Sequence, residues 1–238
     1  GAENFADDNG DNWAHYSGNV NPGEGYMLFP QLNGADGNKT YNFTFTQGTL
    51  NTGNIDFTVK FNTEKQDSPN MVANPYPSAI SAADFINANS MVDEVYFWSP
   101  NTPPSTGLPG YYTMNFSMED ISMYNLTGGT AAASNASVKP NGYITTARGF
   151  GFKAKAAGTA YFTNSMRVTE NNSSSVPRPT AIADRVWVNV KNTEYQMQNT
   201  TLLGFSELTT AGLDQGYDSK RLATVVSLYT HLDNGNSE

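Results

Sequence analysis

NIDFTVKFN, residues 54–62, alternates apolar and polar side chains: its odd-numbered positions are apolar and its even-numbered positions are polar. YNFTFTQ, residues 41–47, alternates in the same way. A period of two is typical of a β-strand with one buried face and one wet face. Because only GTLNTG separates the two runs, they predict an antiparallel hairpin.

The composition of the whole chain favours the same fold class as this predicted hairpin. Charged residues make up only 15% of the chain, while 13 Phe, 13 Tyr and 3 Trp supply a large aromatic core. Such a mix suits short strands better than long helices. We therefore predict an all-β protein, an antiparallel β-sandwich or jelly-roll-like fold with one short helix and a smaller C-terminal β unit.

Further strands are expected at short apolar runs bounded by turn residues. We predict that 93–98 pairs with 110–116 as a second hairpin, and that 149–154 pairs with 159–166 as a third. The predicted strands outside these hairpins are GYMLF (25–29), VWVNVKN (186–192), MQNTTLLGF (197–205) and ATVVSLY (223–229).

The segment Asn74-Pro75-Tyr76-Pro77 predicts a rigid corner. The residue before a proline is driven out of the helical region, so Asn74 and Tyr76 should both be extended. The Tyr76–Pro77 bond is also a candidate for a cis peptide. We interpret the corner as structural, with Tyr76 buried as its plug, and keep a binding role for Tyr76 as the alternative.

A short helix should follow the corner, from about residue 82 to 87. Ser81 is a suitable N-cap, and Asp84 lies where its carboxylate suits the positive end of the helix dipole. Ile80 and Phe85 have the spacing of a hydrophobic staple.

The domain organisation is predicted from one change in composition. ENNSSSVPRPTA, residues 170–181, is polar and poor in aromatic residues, as linkers often are. We predict an N-terminal β-sandwich domain at 1–172, a linker at 173–181 and a C-terminal β unit at 182–238.

The net charge of the chain indicates which classes of partner it can bind. Acidic residues outnumber basic ones by 22 to 13, for a net charge of −9. The chain offers no basic stripe for phosphates, so we expect neither nucleic acid nor anionic lipid as a partner. Its apolar runs are far shorter than the ~20 residues of a membrane-spanning helix, and without cysteine it forms no disulfide.

Two acidic runs are candidates for calcium, which prefers oxygen ligands. The first contains Asp7, Asp8 and Asp11, and the second contains Asp214 and Asp218 around a glycine. Neither has the spacing of an EF-hand loop. The alternative for the first run is a solvated turn. For the second run it is that Asp218 pairs with Arg221 or caps the following turn. No other cofactor is predicted.

Several aromatic residues are candidates for stacking against sugars. The alternative for each ring is ordinary packing in the core or at a strand edge. In 93–98 the alternation sends Phe97 to one face and its two aromatic neighbours to the other. The candidate residues are Trp13, Tyr96, Trp98, Tyr111 and Tyr112.

No catalytic constellation is recognisable. His15 and His231 are the only histidines and lie at opposite ends of the chain, which disfavours acyl transfer and transition metals. A glycosidase would need two carboxylates facing each other across a cleft. Asp93, Glu94, Glu119 and Asp120 are available, but adjacent strand residues point to opposite faces. We predict no enzyme and keep a glycosidase as the remaining alternative.

Taken in order, these segments resemble a conserved β-rich module near the C-terminal ends of large secreted and cell-surface proteins of Bacteroidetes, exported by the type IX secretion system. The most specific motifs of this resemblance are NPYPSAI (74–80), GFGFKA (149–154) and GYD (216–218). The resemblance covers about residues 13 to 230. It implies an extracellular or cell-surface location and no established catalytic residues.

The expected function is therefore that of a non-catalytic structural or adhesive module. It would contact other domains or copies of the same surface protein. The alternative is a carbohydrate-binding module attached to a secreted enzyme or adhesin, with a glycan as partner.

Overall fold

The computed structural model is built from short antiparallel strands. Strands account for 35% of the described residues and helices for 9%, and the paired strands run antiparallel. The predicted all-β class with one short helix is confirmed. The structure describes residues 16–27, 48–63, 68–108, 115–172, 184–195, 197–220, 222 and 224–231.

Within those ranges there are eleven strands and one α-helix, α1 (Ala82–Ala88). Short 3₁₀ turns occupy Met118–Asp120, Ala133–Asn135 and Asn164–Met166. The strands are β1 (Ile55–Val59), β2 (Ser68–Ala73), β3 (Ile80–Ser81), β4 (Val95–Trp98), β5 (Ile121–Tyr124), β6 (Gly129–Thr130), β7 (Tyr143–Ile144), β8 (Gly149–Ala154), β9 (Gly158–Phe162), β10 (Asp184–Asn192) and β11 (Met197–Phe205).

The main sheet has five strands in the order β2-β8-β4-β5-β6, and the described residues add three two-stranded sheets, β1-β9, β3-β7 and β10-β11. The main sheet and β1-β9 meet through their aromatic residues. The ring centroids of Phe150 in β8 and Phe162 in β9 lie 6.3 Å apart. Both sheets therefore share one core, as the layers of a sandwich do.

The predicted hairpin between 149–154 and 159–166 is wrong, although both strands exist. β8 pairs with β2 and β4, whereas β9 pairs with β1. Phe152 and Phe162 are both buried, so the aromatic faces of the two strands meet across the core instead of lying side by side. The connection at 155–157 crosses from one sheet to the other.

The predicted pairing of 93–98 with 110–116 is also wrong. β4 has β5 on one side and β8 on the other, and Val95, Tyr96 and Phe97 are all buried. Both hydrogen-bonding edges of β4 are therefore occupied, and no edge is left for a hairpin partner. Only one strand of the predicted hairpin between 41–47 and 54–62 lies among the described residues. This strand, β1, pairs with β9, and 41–47 lies outside the described residues.

The core is centred on Phe85 of α1. This side chain is fully buried, and its ring centroid lies 5.2 Å from that of Phe150 and 5.0 Å from that of Phe162. The helix begins where the sequence predicts, and the Ser81 hydroxyl accepts a hydrogen bond from the Asp84 backbone N–H at 3.1 Å. This cap satisfies a donor that the first turn would otherwise leave unpaired.

In the C-terminal part of the chain, the strands predicted at 186–192 and 197–205 exist as β10 and β11, and they pair with each other as an antiparallel hairpin. The third strand predicted there is wrong, because 224–230, which the structure describes, carries no strand. Side chains hold that segment instead: the Asn199 carboxamide donates to the Val226 carbonyl, and Glu119 accepts from the Val225 N–H at 2.8 Å. The predicted linker, 173–181, lies outside the described residues.

Candidate functional site

The corner at 74–77 is fixed by one buried amide. Asn74 is 2% exposed, and its Nδ2 donates to the carbonyl oxygens of Ser78 at 2.8 Å, Ile144 at 2.9 Å and Thr145 at 3.1 Å. Its Oδ1 accepts from the Tyr76 N–H at 3.0 Å. A single side chain therefore joins the corner to the strand end at β7.

Tyr76 fills the space beneath the corner. It is 1% exposed, and its hydroxyl donates to the Gly53 carbonyl at 2.6 Å. Burial raises the pKa of this phenol, and the nearby Arg167 charge opposes the rise. The Tyr76–Pro77 bond is trans, so the cis candidate is wrong. This geometry is what a structural plug needs.

Of the five aromatic residues proposed for sugar stacking, Tyr96 and Trp98 are described and share one face of β4. The Tyr96 hydroxyl donates to the Glu94 carboxylate, and its ring is buried. Trp98 is half-buried and meets Phe116 edge-on, with ring centroids 4.9 Å apart. Trp13, Tyr111 and Tyr112 lie outside the described residues.

Two glycines lie beside this aromatic pair on β8. Gly151 is directly opposite Tyr96, and the antiparallel register puts Gly149 opposite Trp98. An added Cβ would find its nearest neighbour 3.9 Å away at Gly149 and 3.6 Å away at Gly151, so internal packing does not require glycine at either position. These glycines form an open floor that sequence analysis missed.

The acidic run at 214–218 is a loop held by its own carboxylates. Asp214 accepts from the Thr210 hydroxyl and backbone N–H, and Asp218 accepts from the Asp214 N–H at 2.7 Å. Asp93 accepts from the Gly216 N–H at 3.1 Å, which ties the loop to the sheet. Burial raises the pKa of Asp218, and the charges of Asp214 and Asp93 add to the rise.

The described residues contain no group of three or more His, Cys, Asp or Glu side chains placed to hold a metal ion. Calcium at Asp214 and Asp218 stays a prediction. The other candidates, Asp7, Asp8 and Asp11, lie outside the described residues.

The carboxylates considered for glycoside hydrolysis are engaged in structural contacts. Asp120 is buried and accepts from the Thr102 backbone N–H and hydroxyl. Asp93 pairs with Lys155 at 2.6 Å. Glu119 caps the segment at 224–226 as described above. Each of these three side chains therefore has a hydrogen-bond or ion-pair partner within the fold.

The most open apolar surface among the described residues that form strands is the outward face of β10. Val186, Val188 and Val190, here called the valine face, are 48%, 39% and 38% exposed. Trp187 points the other way: its Nε1 donates to the Gly129 carbonyl at 3.2 Å, and Lys139 Nζ lies 4.0 Å from its ring centroid. The larger apolar residue is turned inward and the valines outward. Sequence analysis predicted the strand but not this orientation.

In the part of the chain that the structure describes, no helix has the length and apolar character needed to cross a membrane. No curated protein and no solved structure matches the chain. Residues 3–237 match the family described as a domain of unknown function, DUF8693. This match spans nearly the whole sequence, and the chain belongs to that family.

Proposed function

We propose that the chain is a non-catalytic structural or adhesive module of a secreted or cell-surface bacterial protein. It works by contact with a second copy of itself through β10. The observation that supports this most is the exposed valine face on a nine-residue strand.

The edge of β10 supports this contact. Among the described strands β10 pairs only with β11, so its other edge has no strand neighbour there. Natural proteins usually protect such an edge with charge, proline or a bulge. Residues 186–190 (VWVNV) carry no charge and no proline.

A second copy is the occupant that this surface fits most simply. Two copies related by a two-fold axis can pair their β10 strands antiparallel, and each copy then contributes the same edge. No other surface of the chain is needed for this contact. The charged residues of β10, Asp184, Arg185 and Lys191, lie towards its ends, so the central valines of two copies meet without burying a charge. The net charge of −9 opposes association elsewhere on the surface.

The extracellular or cell-surface location rests on the resemblance given by NPYPSAI, GFGFKA and GYD. The acidic, cysteine-free composition is compatible with that location and does not by itself require it.

The association is tested by sedimentation velocity across micromolar concentrations. The wild-type chain should show mass above one copy that rises with concentration. Val186→Lys combined with Val190→Lys should weaken association at least about tenfold, because like charges would then lie opposite each other across the two paired edges.

The matched control is Leu50→Lys, which makes the same kind of change at a residue that is 80% exposed elsewhere; it should associate like the wild type. A wild-type chain that stays monomeric throughout contradicts the proposal. The series is repeated with a calcium chelator, and a chelator-dependent mass would support the binding of calcium by the chain.

A second candidate function, glycan binding, is favoured by the half-buried Trp98 edge beside the open floor of Gly149 and Gly151. An aromatic side chain next to a flat backbone surface allows a sugar ring to approach closely. A glycan array probed with the wild type and with Trp98→Ala distinguishes this function from self-association, because Trp98 lies in the main sheet and not in β10.

A further inference from the structure

A polar cavity lies beside the corner at 74–77. It has a volume of about 450 Å³ and opens to solvent. Its polar lining comes from Ser78, Asn164, Arg167, Thr169 and Asn172. No sequence feature pointed to these residues, because they come from two stretches of the chain, 77–79 and 164–172, that are far apart in sequence.

Arg167 is held in place by neutral groups. Its Nε donates to the Ser78 hydroxyl at 3.1 Å, and its Nη1 donates to Asn164 Oδ1 at 3.4 Å. The guanidinium carbon lies 5.4 Å from the centroid of the Tyr76 ring. The backbone is also fixed, because the Val168 N–H donates to the Ala79 carbonyl at 2.9 Å. The cation is positioned before any ligand arrives.

The charge of Arg167 is not balanced locally. Among the described residues, no carboxylate lies within ion-pair distance of its guanidinium. Glu170, three positions along the chain, is exposed. Carboxylates are common in this chain, which has 22 acidic and 13 basic residues. A fixed guanidinium that pairs with none of those described can bind an anionic ligand, because its planar fork matches a carboxylate.

The two asparagines add donors to the same cavity. Asn164 Oδ1 accepts from the Gly53 N–H at 3.1 Å, and Asn172 Oδ1 accepts from the Thr146 N–H at 2.8 Å. A backbone N–H can only donate, so it fixes which atom of each amide is the oxygen. Within the described residues the Nδ2 groups of both side chains have no protein partner and are available to a ligand.

We propose that this cavity binds a hexuronic acid unit of an acidic glycan. The carboxylate of the sugar pairs with Arg167. The ring hydroxyls form hydrogen bonds with Asn164 and Asn172 and with the hydroxyl groups of Ser78 and Thr169. The volume is that of a small-ligand pocket. Each ring hydroxyl both donates and accepts, so a sugar can serve the two amide donors and the Ser78 and Thr169 hydroxyls together, and the lining favours the sugar. This site is distinct from the valine face of β10.

The test is isothermal titration calorimetry with glucuronate, glucose and succinate as probes. The wild type should bind glucuronate at least tenfold more tightly than either of the other two. Arg167→Gln should abolish the preference for glucuronate over glucose, and Arg167→Lys should keep only part of it because it lacks the planar fork. Lys60→Gln, which removes a cation outside the cavity, should leave binding unchanged.

Asn172→Asp keeps the acceptor for Thr146 and adds a negative charge, so it serves if Arg167→Gln fails to fold. It should weaken glucuronate binding at least tenfold and glucose binding by much less, because the new carboxylate repels the uronate charge but can still accept from a ring hydroxyl. Equal binding of glucuronate and glucose would overturn the proposal. Equal binding of succinate and glucuronate would overturn it in favour of a peptide carboxylate, and an unchanged affinity in Asn172→Asp would place any binding elsewhere.

Discussion

Asn74→Asp should destabilise the protein by about 4 kcal/mol at neutral pH, the range expected for a buried charge without a partner. The substitution barely changes the shape of the side chain. It replaces an amide donor with a carboxylate facing the carbonyl oxygens of Ser78, Ile144 and Thr145. Three donor contacts become repulsive ones at a site that is 2% exposed.

The effect should depend on pH in a definite direction. Burial and the facing carbonyls disfavour the charged form, so the pKa of the new carboxyl is raised above its unfolded value of about 3.9. Protonation restores one donor. The stability gap to the wild type is therefore smallest below that unfolded value, grows as the pH rises from there to the folded pKa, and is constant above it.

Urea unfolding at pH 4 and pH 7 measures this gap. Asn54→Asp, at an exposed asparagine, is the control and should cost less than about 1 kcal/mol. A gap below about 1 kcal/mol at pH 7, or one that widens on acidification, would mean that the Asn74 network does not fix the corner.

Phe85→Ala should cost about 4 kcal/mol at any pH at which the protein folds, since truncating a buried phenylalanine removes its burial and leaves a cavity. Phe85 is fully buried and contacts the rings of Phe150, Phe152 and Phe162. These rings belong to two different sheets, so one truncation loosens both layers.

The same urea series measures this loss. Tyr161→Ala is the matched control, because Tyr161 lies on β9 beside Phe162 but is 45% exposed; it should cost about 1 kcal/mol or less. A loss below about 2 kcal/mol for Phe85→Ala would contradict a core centred on α1.

Much of the local structure was predictable because neighbouring residues decide it. The alternation at 54–62 gave β1, and Ser81 with Asp84 gave the start of α1. The proline rules placed a corner at 74–77. Each of these outcomes depends on contacts within a few residues.

Strand pairing was not predictable in the same way. β8 and β9 are separated by only three residues, and so short a connection favours a hairpin. The two strands nevertheless lie in different sheets, because their buried aromatic side chains pack against each other across the core. Similarly, β4 is a central strand with β8 on one edge and β5 on the other, and the run at 93–98 does not indicate which strands fill those edges. These partners are chosen by burial across the whole fold, which a local pattern does not contain.

The surfaces proposed for function depended on orientation. VWVNV indicates a strand, but only the contact of Trp187 with Gly129 decides that the valines face outward. The cavity at Arg167 joins residues from 77–79, 164–169 and 172, and the absence of a nearby carboxylate among the described residues emerges only in three dimensions.

Hydrogen–deuterium exchange of wild-type β10 at increasing protein concentration tests self-association most directly. The backbone amides of 184–192 that face away from β11 should exchange more slowly as concentration rises, because a second copy pairs with that edge. The Val186→Lys and Val190→Lys double variant should show no such slowing. Exchange in wild-type β10 that is independent of concentration would contradict a self-contacting structural module.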